Sequence, residues 1–160
     1  MTSNKPRWAA GMAAAAAVLL AVTATPAHAA GWGGDGDPQG CAGAYTARSA
    51  PIYGTRGATK GVKIGEVQLR WSTPCYAAWS KVVLYGNTFH TPATVEQRIE
   101  SEGRRAGVTD SNLYPWYVGT STWTPYLRLR DYRSLACAYA SVSSDFDTVS
   151  YHTNGAHVCA

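Results

Sequence analysis

The chain has 160 residues, 46% hydrophobic and 15% charged, with a formal net charge of +4. That length is enough for one domain with a real core. The positive excess is small and the arginines are scattered, which excludes the concentrated basic footprint of a nucleic-acid-binding protein.

Lys5 and Arg7 precede an uncharged apolar run at 11–22, and Ala27-His28-Ala29 supplies the small residues that a signal peptidase reads. Residues 1–29 are expected to be a Sec-type signal peptide cleaved after Ala29, making the protein secreted. The run falls short of the roughly 20 residues that span a bilayer, so no stable membrane insertion is expected after cleavage. Losing Lys5 and Arg7 lowers the net charge to about +2.

Residues 30–40 are glycine-rich and read as a flexible lead-in to a single β domain over 41–160. Asp35 and Asp37 resemble the start of a calcium loop, but its remaining ligands and terminal Glu are missing. Residues 45–53 read as a strand, and the three glycines of 54–61 as a hairpin loop. Residues 62–72 form the central strand: Val67, Leu69 and Trp71 alternate with Glu66, Gln68, Arg70 and Ser72. Thr73-Pro74 breaks that run, because proline gives a ladder no N–H. The run Val82-Val83-Leu84-Tyr85 favours strand over helix for 75–85. At 93–102, Ala93, Val95 and Ile99 alternate with Thr94, Glu96 and Arg98, which outweighs a possible capping box at Thr94 and Gln97. Residues 103–112 read as a loop. Residues 125–130 alternate again. Asn154-Gly155 is a preferred type I′ pair, predicting a tail hairpin of 148–153 and 156–159 with His152 opposite His157. Short strands with glycine turns and no long helix predict an all-β fold, a small disulfide-stapled antiparallel β sandwich or barrel.

Cys41, Cys75, Cys137 and Cys159 all follow the signal segment. An even count in an exported chain reads as two disulfides. Three pairings are open. The layout favours Cys41–Cys75 and Cys137–Cys159, one clamp per end, each contributing roughly 3 kcal/mol by loop entropy.

The segment Glu66-Val67-Gln68-Leu69-Arg70-Trp71-Ser72-Thr73-Pro74-Cys75-Tyr76-Ala77-Ala78-Trp79 resembles the YjfA-like family of secreted Gram-positive proteins, a domain of unknown function. That family carries Leu-Arg-aromatic-Ser, a Cys and Ala-Trp, matched here by Leu69-Arg70-Trp71-Ser72, Cys75 and Ala78-Trp79. Its Asp-Pro before a Cys is similar to Asp37-Pro38 and Cys41, and its later Thr-Pro and closing Cys to Thr124-Pro125 and Cys137. The resemblance covers 37–140 and leaves 141–160 as a C-terminal hairpin extension. Family members often have a Cys just before the Asp-Pro, where this chain has Gly33-Gly34-Asp35-Gly36. The resemblance implies that Cys159 replaces the missing partner of Cys137. It also implies export and a compact domain that binds rather than turns over a ligand, and it supplies no catalytic residues.

His90, His152 and His157 are the histidines left after signal removal, and no G-x-S-x-G or H-E-x-x-H spacing occurs. Nucleophilic catalysis needs a base beside its nucleophile, and no catalytic residue is assigned. Glu96, Glu100 and Glu102 offer the paired carboxylates of a hydrolase and carry the alternative reading, a small extracellular hydrolase acting on cell-wall material. His152 and His157, with Asp145 or Asp147, are the nearest approach to a metal site; without a fixed ligand set, no metal or cofactor is expected. The chain has ten tyrosines against two phenylalanines. Tyrosine buries a ring and leaves a wet hydroxyl, which suits rims and binding surfaces. Tyr114, Trp116 and Tyr117 are the candidate ligand-binding residues, and Trp71 and Trp79 are read as structural, with the Trp71 ring in the core. The favoured function is a secreted non-catalytic domain whose partner is an extracellular glycan, peptide or cell-wall polymer.

N-terminal sequencing of protein recovered from culture medium is expected to begin at Ala30; a mature species that keeps Lys5 and Arg7 overturns the signal-peptide reading.

Overall fold

The apolar–polar alternation of the sequence emerges as two antiparallel sheets. The computed structural model describes residues 31–55, 59–85, 93–110, 120–142 and 156–160. In chain order come β1 (Trp32–Gly33), a 3₁₀ turn (Pro38–Gly40), β2 (Tyr45–Tyr53), β3 (Lys63–Ser72), β4 (Ala77–Leu84), β5 (Ala93–Ile99) and a second 3₁₀ turn (Glu100–Glu102). These are followed by β6 (Arg104–Asp110), β7 (Ser121–Trp123), β8 (Leu127–Arg128), β9 (Ala136–Val142) and β10 (Ala156–Cys159). One sheet runs β1-β6-β5-β9-β10; the other runs β2-β3-β4-β7, with β8 also on β4. β7 and β8 follow β4 as one broken edge strand, opposite Lys81–Val83 and Ala77–Ala78. Pro125 interrupts it, and Tyr126 turns away to bridge Gly36 of the lead-in. The ladders otherwise stay separate, so the fold is a sandwich and not a closed barrel.

The two inner faces pack into one core. Ile52, Ile64, Val67, Leu69, Val82 and Leu84 come from the β2–β4 side. They meet Ala93, Val95, Val108, Ala138, Ala140 and Val142. Alanines facing branched residues let the sheets interdigitate. Between them Ser80 Oγ lies 2.8 Å from Gln97 Oε1, and both residues are fully buried. The disulfides are Cys41–Cys75 and Cys137–Cys159, the pairing favoured by the layout. The first ties the chain before β2 to the β3–β4 turn. The second joins β9 to β10, where Cys159 stands opposite Cys137.

Two expectations need correction, and one segment without a predicted element gains one. Residues 103–112, read as a loop, hold β6. Gly103, with φ of 62°, makes the turn, and Ala106, Val108 and Asp110 are buried. Gly107 sits mid-strand because the Trp32 indole lies against it: a Cβ there would stand 2.4 Å from Trp32 Cζ2. The lead-in read as flexible contains β1, paired to β6 at Trp32↔Gly107 and Gly33↔Ala106. Residues 136–142, left without an element by the sequence reading, form β9, which pairs both β5 and β10. The tail hairpin's first strand and its Asn154-Gly155 turn lie outside the described residues.

A polar clasp holds the lead-in and the β8 region together. Arg104 pairs with Asp35 and Glu102 and donates to the Arg128 carbonyl at 2.6 Å. Asp35 Oδ2 also accepts Arg128 N–H at 2.8 Å. Glu102 Oε1 accepts Arg130 N–H and Ser134 Oγ–H, each at 2.8 Å. Burial works to raise the Asp35 and Glu102 carboxyls, but the backbone hydrogen bonds and the Arg104 guanidinium outweigh it and hold both below their ordinary values.

A depressed folded pKa stabilises above the unfolded value, near 3.8 for Asp35 and 4.5 for Glu102, and that contribution is lost as pH falls through the folded one. The urea midpoint is therefore expected to hold between about pH 7 and 5 and to drop below about pH 4.5, less steeply in Arg104→Met. An acid limb as steep in Arg104→Met as in the parent chain would overturn the clasp.

Candidate functional site

At one end of the sandwich the sheets part around a cleft of about 240 Å³. Its floor is apolar, from Leu69, Ala78, Leu129 and Ala136, and its rim is aromatic, from Tyr45, Trp71 and Tyr132. Strand register builds one side: Trp71 faces inward between Tyr45 on β2 and Ala78 on β4. Trp71 is half-buried, resting on the core cluster while its Nε1–H donates to Thr73 Oγ1 at 3.2 Å. Tyr76 meets its edge at 5.4 Å between centroids. That ring is aimed by the backbone, since Tyr76 has φ of 49° in the tight turn after Cys75. A non-glycine residue there costs about 1–2 kcal/mol. The neighbouring disulfide and the Leu129 N–H bond to its carbonyl, at 3.2 Å, hold it in place.

The other side of the rim is set by the clasp. Glu102, through Arg130 N–H and Ser134 Oγ–H, positions the segment that carries Leu129 and Tyr132. Tyr132 is 74% exposed, and its hydroxyl accepts Arg133 Nε–H at 2.8 Å. Tyr45 is 52% exposed, so two ring faces stand in solvent beside an apolar floor. A cleft of this shape has room for a planar or aliphatic group, with hydroxyls at its polar margin. The Ser134 hydroxyl of the cleft wall has a carboxylate beside it, that of Glu102, at 2.8 Å. That carboxylate, Glu102, is also engaged by Arg130 N–H and Arg104 and held in its low-pKa form, which makes it a poor base.

Other candidates from the sequence stand elsewhere. Tyr114, Trp116 and Tyr117 lie outside the described residues, between Asp110 at the end of β6 and Thr120 before β7. His90 and His152 also lie outside them. His157 stacks on Tyr139 at 5.5 Å. Among the described residues no three metal-ligating side chains gather, and no helix is long and apolar enough to cross a membrane. Glu96 pairs with Arg98 and Arg105, Glu100 with Arg98, and Glu102 with Arg104, so the proposed hydrolase carboxylates each sit in an arginine pair. Trp79, read as structural, is buried at 5% exposure and lies on the outer face of its sheet, opposite Arg70. Nothing in the sequence singles out this cleft, the aromatic mouth of the sandwich: the excess of tyrosine points only to a rim, and Trp71 reads as core.

Residues 33–137, more than half of the chain, match the family described as a protein of unknown function (DUF2690), and the chain belongs to that family. The match takes in Leu69-Arg70-Trp71-Ser72, Cys75, Ala78-Trp79, Thr124-Pro125 and Cys137, and hence nearly all of the mouth. No curated protein and no solved structure matches the chain.

Trp71→Ala is expected to cost about 2–3 kcal/mol, less than a fully buried tryptophan, and Tyr132→Ala under about 0.5 kcal/mol. Urea midpoints compare them; equal losses would place Tyr132 in the core rather than on a free rim.

Proposed function

We propose that this chain is a secreted, non-catalytic binding domain of the YjfA-like kind found in Gram-positive bacteria, and that it takes an extracellular ligand into its aromatic mouth. The carrying observation is the apolar cleft of about 240 Å³ rimmed by the exposed rings of Tyr45 and Tyr132 and the half-buried Trp71. Aromatic rings on a stiff frame give contact area at little cost in side-chain entropy. The frame here is stiff: a disulfide stands beside Tyr76, and the clasp fixes the segment of Tyr132. Two disulfides and the signal-like residues 1–29 support export. The floor fits an aliphatic or aromatic side chain of a peptide, with the tyrosine hydroxyls at its polar edge. Against the hydrolase reading stand the arginine pairs on Glu96, Glu100 and Glu102.

Peptide and glycan arrays probed with the purified protein test this. A ligand lost in Tyr132→Ala and kept in Trp116→Ala is the expected result. Loss in Trp116→Ala alone moves recognition to the Tyr114, Trp116, Tyr117 run and overturns the mouth. Turnover of peptidoglycan abolished by Glu96→Gln or Glu100→Gln, with folding intact, overturns the non-catalytic reading.

A further inference from the structure

The outer face of the β2–β3–β4–β7 sheet carries a second, chemically different depression. Register sets its walls. β3 and β4 place Gln68 opposite Lys81 and Arg70 opposite Trp79, and β4 and β7 place Lys81 opposite Trp123. The 3₁₀ turn Pro38–Gly40 lies across this face, capped by Asp37, whose carboxylate accepts Gln39 N–H at 2.9 Å. Pro38, Gln39, Arg70, Trp79, Lys81 and Trp123 enclose about 150 Å³. Pro38, Gln39 and Trp123 also border a longer basin of about 420 Å³ that runs along Gly31–Gly36 to Pro125.

The charges at the Arg70–Lys81 end of this groove are one-sided. Lys81 is half-buried, with Nζ 5.9 Å from the Trp123 ring centroid. Burial first, and the neighbouring Arg70 second, push its ammonium pKa down. Among the described residues no carboxylate pairs with Lys81 or Arg70; Arg70 donates instead to Thr46 Oγ1 at 2.6 Å and to the Ala44 carbonyl at 3.3 Å. Two like charges side by side, one of them partly desolvated, are unfavourable until an anion enters between them. Asp37 stands in the longer basin and disfavours negative charge there. An anionic group therefore belongs at the Lys81 end and an uncharged remainder along the glycines. Indole faces are the usual platform for a sugar ring's C–H surface, and cations at one edge select a charged sugar.

We propose that this groove binds an anionic saccharide, its carboxylate or phosphate held by Lys81 and Arg70 and its ring laid on Trp123. The groove opens on the outer face of the sheet; Arg70 borders both it and the mouth, whereas Lys81 and Trp123 border the groove alone, so the proposal does not depend on what the mouth binds.

Calorimetric titration of the folded protein with three probes tests it: oligogalacturonate, a ribitol-phosphate oligomer and neutral dextran oligosaccharide. One or both acidic probes are expected to bind at least tenfold more tightly than the neutral one, and which of them binds identifies carboxylate or phosphate as the source of charge. Lys81→Met keeps the aliphatic stem and is expected to weaken that binding tenfold or more without lowering the urea midpoint. Lys60→Gln removes the same charge from an exposed position away from the groove and is expected to leave binding unchanged. Equal losses in Lys81→Met and Lys60→Gln mean nonspecific attraction to a polyanion and overturn the proposal. So do equal affinity for dextran, unaltered binding by Lys81→Met, or no binding of either acidic probe. Tyr132→Ala is expected to leave the titration unchanged, which separates failure of this site from failure of the mouth.

Discussion

The guanidinium of Arg104 is the constraint on which the rest of the molecule depends. It is a strand residue of β6 in one sheet, yet its partners are Asp35 in the lead-in, Glu102 in the turn before β6, and the Arg128 carbonyl at the edge of the other sheet. A β sandwich is held over its faces by apolar contact, which is non-directional and permits sliding. The clasp adds direction at an edge, since three acceptors around one planar fork fix both distance and orientation. Glu102 passes that order on to Arg130 and Ser134, and so to the wall of the mouth that carries Leu129 and Tyr132.

The interior follows the same division between packing and direction. The β5–β6–β9 face is largely alanine and valine, and the facing sheet brings isoleucine and leucine. That choice allows close approach but carries little register information. The buried Ser80–Gln97 contact supplies some. A fully buried amide is tolerable only where its partners are placed, so sliding one sheet past the other would strand it.

Much of this architecture was legible as period-two alternation. β3 and β5 emerge where Val67, Leu69, Ala93 and Val95 alternate with polar residues, and β4 where the run Val82-Val83-Leu84-Tyr85 favours a strand. β6 was illegible because Gly103, Arg104, Arg105 and Gly107 have loop composition. Their reasons are tertiary: a left-handed turn, a clasp, and an indole that needs the space of a missing side chain. The lead-in misread has the same origin, since β1 exists only where Trp32 lies on that glycine. The two tryptophans of the central motif show how register hides in a turn. The turn at 73–76 places Trp71 opposite Ala78, so Trp79 falls on the outer face. The hydrophobicity of either residue says nothing about that.

Once Trp79 is outside, something must cover it. The 3₁₀ turn at Pro38 stands beside it in the wall of the outer groove, and Cys41, the residue after that turn, is bonded to Cys75 beside Tyr76. One cross-link thus anchors a wall of the outer groove and the strained residue that aims a ring at Trp71 in the mouth. Its contribution to stability comes chiefly through the unfolded chain, by the loop-entropy account. In the folded chain it sets shape, because the mouth and the outer groove both take their outlines from the few residues on either side of it.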